Sequence, residues 1–127
     1  MRPAVDADWR VRRVRDVLGR LYVEYHETND RHFAGLLPMI PLYIESAARP
    51  GKERTVAFLW ADDFTGQPRY IVLDDGSVQS ESWKAITDTL KHEMIHVWQA
   101  VTGRAVNHGP AFKRMAKKLD ISQRAVD

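Results

Sequence analysis

Apolar side chains recur at three- and four-residue steps in several parts of the chain, which is the spacing of one face of an α-helix. The first such stretch runs from Asp6 to Glu27 and predicts an amphipathic helix, with Asp6 or Asp8 as its N-cap. Its apolar stripe consists of Trp9, Val14, Val17, Leu18, Leu21, Tyr22 and Tyr25. Asn29 and Asp30 interrupt the pattern, so we expect the helix to end before them.

Between Met39 and Leu73 the apolar residues form short runs separated by turn residues, a pattern that is typical of β-strands. The runs are MIPLYIES, RTVAFLWA and RYIVLD, and the turn DDFTGQP joins the second run to the third. Pro41 lies in the first run and indicates an edge strand or a bulge, because proline has no N–H to donate. The pattern predicts a small three-stranded antiparallel sheet.

Two further helices follow the sheet. The first is expected to start at Ser82 as N-cap and to run to about Thr102, with Gly103 as its C-terminal cap. Its buried stripe would be Ile86, Leu90, Met94, Val97 and Val101. The second starts at Pro110, and its inner face would be Phe112, Met115, Ala116 and Leu119. The order of elements predicts an α+β fold, in which residues 1–127 form a single domain.

Charge and composition narrow the range of functions. The formal net charge is only +2, but residues 1–20 hold six arginines against three aspartates, and residues 104–127 hold six basic side chains against two aspartates. Such faces are usually solvated, and DNA binding through the basic first and last helices is the alternative that they leave open. The chain has no cysteine, so any metal must be held by nitrogen and oxygen. Neither a secretory signal nor a membrane-spanning stretch is evident, and we expect a cytoplasmic protein.

The segment HEMIH carries the chemistry of the sequence. His92 and His96 are four residues apart, so on a helix their side chains are neighbours and their two nitrogens can bind one Zn²⁺. Glu93 lies beside the pair but is poorly aimed to bind the same ion, which suits a general base acting on a metal-activated water. This is the H-E-x-x-H arrangement of zinc peptidases.

A zinc site that is catalytic needs a third protein ligand and an open position for water. No glutamate follows Glu93 in the chain, and the short metzincin spacing fails because Gln99 and Thr102 occupy its positions. His108 is the favoured third ligand, and Asp120 is the other candidate. The two upstream histidines, His26 and His32, are expected to lie on the surface. The four tryptophans are expected in the core and not as platforms for stacking of bases.

HEMIH followed after twelve residues by HGPAF resembles the SprT-like zinc metallopeptidases, the group that includes the Spartan-type proteases. The resemblance extends over roughly Trp9 to Leu119 and implies a zincin-like metallopeptidase core. It also implies that His92, His96 and His108 are the zinc ligands and that Glu93 is the catalytic residue. Many members carry a cysteine-rich zinc ribbon after this core, and this sequence has no cysteine with which to form one.

The function implied by the resemblance is that of a zinc-dependent endopeptidase, acting on a protein or peptide substrate or on proteins associated with DNA. By analogy with zincins, the substrate would lie extended along a sheet edge formed by the strands between Met39 and Leu73. The alternative is a non-catalytic DNA- or protein-binding domain with a structural zinc site. A hydrolase acting on something other than peptides also remains open. We expect a monomer that does not bind a membrane.

Overall fold

The computed structural model describes residues 2–47 and 56–121, with side chains from Arg13 onward. Its elements are one helix, three consecutive strands and three helices, which is the order expected of an α+β protein with one short helix added after the sheet. They are α1 (Arg2–His32), β1 (Leu42–Glu45), β2 (Ala57–Ala61), β3 (Pro68–Asp74), α2 (Asp75–Ser80), α3 (Trp83–Val101) and α4 (Pro110–Lys118). In this part of the chain, no helix has the length and apolar character needed to cross a membrane.

The three strands form a mixed sheet in the order β1–β3–β2, so the prediction of an antiparallel sheet is wrong. β2 and β3 are joined by a tight turn and pair antiparallel, while β1 pairs parallel to β3 on its other side. The alternation of apolar residues specifies which face of a strand is buried, but it carries no information on strand direction. Direction depends on the neighbour that a strand pairs with, and the neighbour of β1 is β3 instead of β2, the next strand along the chain.

The turn between β2 and β3 is held by one carboxylate. Asp62 Oδ1 accepts hydrogen bonds from the N–H groups of Phe64 and Thr65, both at 2.9 Å. Its Oδ2 accepts from the Arg69 guanidinium at 2.8 Å, and these bonds together hold the pKa of the Asp62 carboxyl well below its usual range. Gly66 has a φ of +71°, a conformation that glycine adopts without steric cost. The local turn chemistry therefore fixes the β2–β3 hairpin.

α1 continues through His32, past the two polar residues that were expected to end it. The reason is that Asn29 is buried and its side-chain amide forms hydrogen bonds with the segment that follows the helix. Its Nδ2 donates to the Leu37 carbonyl at 2.9 Å, and its Oδ1 accepts from the Leu37 N–H at 3.0 Å. The helix then ends where Ala34 and Gly35 adopt positive φ values of 52° and 72°.

The predicted bounds of α3 and the predicted start of α4 are confirmed. Ser82 caps α3 by accepting a hydrogen bond from the Ala85 N–H at 3.2 Å, and Gly103 has a φ of +74° just after the helix. Pro110 is the first residue of α4. The short helix α2 was not predicted from the segment that follows β3, and Asp74 caps it by accepting from the Ser77 N–H at 3.1 Å.

The core lies between the helices and one face of the sheet. Along β1 and β3, Leu42, Ile71 and Leu73 face this core together with Leu90 and Met94 of α3. The opposite face carries an aromatic row in which Tyr70 contacts Tyr43 edge-on and stacks on Trp60, with ring centroids 5.4 Å and 6.0 Å apart respectively. Trp60 is 44% exposed, so the expectation that it belongs to the core is wrong. Trp83 and Trp98 pack against the core from its margin, whereas the side chain of Trp9 lies outside the described residues.

Candidate metal centre

The two histidines of HEMIH lie one turn apart on α3, at the edge of its buried stripe. Their ring centroids are 5.0 Å apart, as the i,i+4 spacing on a helix requires. Both side chains are partly buried, while Met94 and Ile95 between them are fully buried in the core. The apolar stripe of α3 therefore sets the direction in which the histidine pair projects.

His108 reaches the same point from the segment before α4. Its Nε2 lies 3.1 Å from His96 Nε2 and 3.1 Å from His92 Nε2. The three side chains form the group of potential metal ligands found among the described residues. The structure thus brings together all three histidines that the sequence singled out, although His108 follows His96 by twelve positions and lies beyond a chain reversal.

Hydrogen bonds within the reversal hold His108 in place. The Arg104 N–H donates to the Gln99 carbonyl at 2.8 Å, and the Gly109 N–H donates to Asn107 Oδ1 at 2.9 Å. Gly109 has an ordinary φ of −76°, so freedom of the backbone is not why glycine is suited to this position. A Cβ there would lie 3.0 Å from Asn107 Oδ1, which is tighter than an ordinary contact. Glycine therefore permits the close approach of the Asn107 side chain.

Phe112 forms the floor of the histidine cluster. Its ring is fully buried, and its centroid lies 4.8 Å from the ring of His92, 5.0 Å from that of His96 and 4.7 Å from that of His108. It belongs to the first turn of α4 and packs this helix against α3. One aromatic residue therefore restricts the orientation of all three imidazoles.

The arrangement of nitrogens fits a tetrahedral metal ion. Zinc–nitrogen bonds of ~2.0–2.1 Å place the ligand nitrogens of a tetrahedral site roughly 3.3 Å apart. The two Nε2 separations of 3.1 Å that involve His108 agree with this value. Burial lowers the pKa of His96, against a hydrogen bond to Gln99 that raises it. A lowered pKa favours the neutral imidazole, the state that a metal ligand requires.

Glu93 lies beside the cluster and is almost completely buried. Its Oε2 is 3.9 Å from His92 Nε2, and its carboxyl accepts a hydrogen bond from the backbone N–H of Leu59 in β2. Burial raises the pKa of the Glu93 carboxyl to about 7, although the hydrogen bond from Leu59 opposes this rise. A carboxyl with this pKa exchanges a proton readily near neutral pH, which is the property of a general base.

The other candidates from the sequence lie outside the cluster. Asp120 is exposed with a φ of +56°, and its backbone carbonyl accepts a hydrogen bond from Lys84 Nζ at 2.9 Å. His26 is exposed and lies 3.3 Å from Asp30, and His32 is at the C-terminal end of α1. None of them belongs to the group of converging ligands in the part of the chain that the structure describes.

Two contacts at this site were not predicted from the sequence. Gln99 is fully buried with its amide against His96, and the Leu59 N–H binds the carboxyl of Glu93. A polar residue three positions after His96 was a signal for the first contact, because i,i+3 residues are neighbours on a helix. The second depends on the packing of β2 against α3, and a backbone donor leaves no trace in the sequence.

The fold and the site together define an α+β domain in which one helix contributes two histidines and a buried glutamate, and the next helix begins beside a third histidine. The chain belongs to the SprT-like family, whose family model matches residues 1–126. This membership confirms the resemblance seen in the sequence and is compatible with a metallopeptidase-like domain. Comparisons with curated proteins and with solved structures gave no match.

Proposed function

We propose that this protein is a zinc-dependent endopeptidase in which His92, His96 and His108 hold the metal and Glu93 is the general base. The observation that carries the proposal is the convergence of the three imidazoles, at 3.1 Å between two pairs of nitrogens, next to a buried carboxyl. Membership of the SprT-like family supports it. A structural zinc site has no need for an acidic group of this kind beside the ligands.

The metal and Glu93 have separate roles in the proposed reaction. A bound zinc ion supplies Lewis acid chemistry, which acidifies water and polarises a carbonyl. Glu93 takes the proton from the attacking water and delivers it to the amine that leaves when the peptide bond breaks. The buried position of Glu93 strengthens this role, because an apolar environment favours the protonated state that the carboxyl reaches after the first transfer.

The open edge of β2 is the proposed site for the substrate, as in a zincin-like core. β2 pairs only with β3 among the described strands. Ile71, opposite Leu59, donates its N–H to the Pro41 carbonyl at 3.1 Å, on the β1 side of the sheet. The Leu59–Ile71 pair therefore does not exchange hydrogen bonds, and the Leu59 N–H points to the open edge, towards Glu93. An extended peptide paired with this edge would lie beside the catalytic carboxyl.

The test is Glu93→Gln, assayed on casein and for self-cleavage with zinc present. We expect activity to fall by about 10²–10⁴-fold, because a general base contributes on this scale. Zinc content should stay equal to that of the wild type, since Glu93 is not a ligand. Glu27→Gln, an exposed glutamate on α1, is the matched control and should retain activity. A Glu93→Gln protein as active as the wild type would exclude this mechanism.

The alternative function, a non-catalytic DNA-binding domain with a structural zinc, is favoured by the outer face of α4. This face exposes Lys113, Arg114, Lys117 and Lys118. Lys118, Arg31 and Lys91 are also near enough to His32 to lower the pKa of that imidazole, after the larger effect of burial. The end of α1 and the outer face of α4 thus form one basic surface, for which phosphate groups are suitable partners.

DNA binding by this surface is compatible with either function and can be measured separately. If the surface binds DNA, log Kd should rise linearly with log salt, with a slope of about 0.9 per phosphate contacted. Exchanging Lys117 and Lys118 for glutamine should reduce both the affinity and the slope. If the protein binds zinc and DNA but cleaves no protein, the non-catalytic alternative is supported. If it does not bind DNA at low salt, DNA is excluded as a partner in both proposed functions.

A further inference from the structure

Gln99 connects two of the three converging histidines. It lies three residues after His96 on α3, and only 1% of it is exposed. Its Oε1 is 2.9 Å from His96 Nδ1, and its Nε2 donates to the backbone carbonyl of Asn107 at 3.0 Å. Asn107 directly precedes His108. The buried amide therefore contacts one histidine through its oxygen and the segment that carries another through its nitrogen.

The hydrogen bond from Gln99 to Asn107 determines the direction of the hydrogen bond between Gln99 and His96. A backbone carbonyl can only accept, so the NH₂ group of Gln99 must face Asn107. The amide oxygen must then face His96, and because an amide oxygen can only accept, His96 Nδ1 must carry the ring proton. The Nε2 of His96 is left with its lone pair, and this is the nitrogen that lies 3.1 Å from His108 Nε2. The carbonyl of Asn107 thus selects the tautomer of His96 through Gln99.

The same residue also limits the position of His108. Besides the amide contact with Asn107, the backbone carbonyl of Gln99 accepts a hydrogen bond from the Arg104 N–H at 2.8 Å. Gln99 therefore holds the reversal between α3 and α4 at its beginning and at the residue before the ligand. Asn107 in turn binds the Gly109 N–H through its side chain, on the other side of His108.

We propose that Gln99 is a positioning residue of the metal centre, which fixes His96 as the Nδ1–H tautomer and anchors the segment that presents His108. The inference rests on the metal site proposed above, and it adds the residue that prepares this site before an ion binds. Hydrogen-bond partners of metal-bound histidines typically contribute about 10–100-fold to metal affinity. Gln99 has more to contribute than such a partner usually does, because it acts on two ligands.

The experiment compares Gln99→Met with Gln99→Glu in two measurements. Methionine has nearly the same volume but neither hydrogen bond, whereas glutamate can still accept from His96 and cannot donate to Asn107 when ionised. The first measurement is the tautomer of His96 in the metal-free protein, from two-bond ¹⁵N–¹H correlations of the imidazole ring. The second is zinc affinity by competition with a chromophoric chelator. Gln79→Met, the same exchange in α2, is the matched control.

We expect Nδ1–H at His96 in the wild type and in Gln99→Glu, and loss of this preference in Gln99→Met. Zinc affinity should fall by at least about 10-fold in Gln99→Met, by less in Gln99→Glu, and should not change in Gln79→Met. The inference is overturned if a folded Gln99→Met protein keeps both the tautomer and the affinity of the wild type. It is also overturned if Gln99→Glu loses the tautomer, a test that remains decisive should Gln99→Met not fold.

Failure of this inference and failure of the proposed function give different results. The tautomer is read without metal, so it reports on Gln99 even if the wild type binds no zinc. A wild type that binds zinc but cleaves no peptide would contradict the endopeptidase and leave the role of Gln99 standing. If the enzyme is active and Gln99→Met changes neither the zinc affinity nor the tautomer, the role of Gln99 is contradicted and the endopeptidase is not.

Discussion

At the scale of single residues, three imidazoles differ in how firmly the protein holds them. His96 is restrained by Gln99 and by the ring of Phe112, and both His92 and His96 project from a helix whose neighbouring residues are buried. His108 is exposed, and it is held by the segment between two helices. His108 is therefore the histidine of this cluster whose position depends most on the surrounding chain.

Replacing His108 with alanine tests directly whether this residue is the third ligand. Zinc affinity should fall by more than about 100-fold, because loss of a ligand exceeds the ~10–100-fold that its hydrogen-bond partners contribute. The measurement is chelator competition, and His26→Ala, which removes an exposed histidine outside the cluster, should leave the affinity unchanged. Unchanged zinc binding in His108→Ala would point to another ligand, such as Asp120.

At the scale of elements, the contact between α3 and α4 assembles the site. α4 is only nine residues long and buries Phe112 and Ala116 against its neighbours. A helix of this length is marginal in isolation, so its stability must come from this packing. The three histidine rings pack on Phe112, which is part of this contact. The geometry of the site therefore depends on the packing of one short helix.

Phe112→Ala should therefore affect stability and metal binding together. Truncation of a buried phenylalanine costs about 3–5 kcal/mol of the free energy of unfolding. Urea denaturation of the metal-free protein measures this loss, and chelator competition should show weaker zinc binding, because the three rings lose their common floor. Lys113→Ala, at the next and exposed position of α4, should change the free energy by less than ~0.5 kcal/mol. Equal zinc affinity in a destabilised Phe112→Ala protein would show that α4 docking does not control the site.

At the scale of the whole molecule, α1 is tied to the sheet and to the segment that follows it through buried polar groups. Tyr25 is fully buried, and its hydroxyl donates to the Pro38 carbonyl at 2.6 Å. Tyr22 accepts from the Leu42 N–H at 2.8 Å, at the start of β1. These bonds hold the helix against the same sheet that α3 covers, so loss of any of them should affect global stability.

Tyr25 makes the stability of the fold depend on pH in the alkaline range. Burial raises the pKa of this hydroxyl above its ordinary value of about 10, so the folded protein keeps it neutral where the unfolded chain ionises it. Stability from this source is complete below about pH 10 and is lost as the pH rises beyond that value. Urea denaturation at pH 9 and pH 11 should show a smaller decline for Tyr25→Phe than for the wild type. Equal declines in the two proteins would contradict the prediction.

The histidine pair of HEMIH and the helix that carries it could be predicted from the sequence, because both depend on local spacing. Residues four apart are neighbours on any helix, and Ser82, Gly103 and Pro110 end or begin helices through interactions with adjacent residues. His108 could be preferred by elimination among the remaining potential ligands. The preference for His108 also assumed that Phe112 and Met115 pack the last helix back against the helix of the histidine pair.

Only the tertiary structure decided the direction of β1, the burial of Glu93 against β2 and the orientation of Gln99. The first is a choice of neighbour that the alternation of apolar residues does not encode. The other two depend on how the segments pack, and one partner in each contact is a backbone group, Leu59 N–H or Asn107 C=O. Every residue has a backbone carbonyl and nearly every residue a backbone N–H, so the sequence does not indicate which of them will contact the site. The sequence therefore identifies the side chains of the site, and only the packed fold specifies the backbone atoms that orient them.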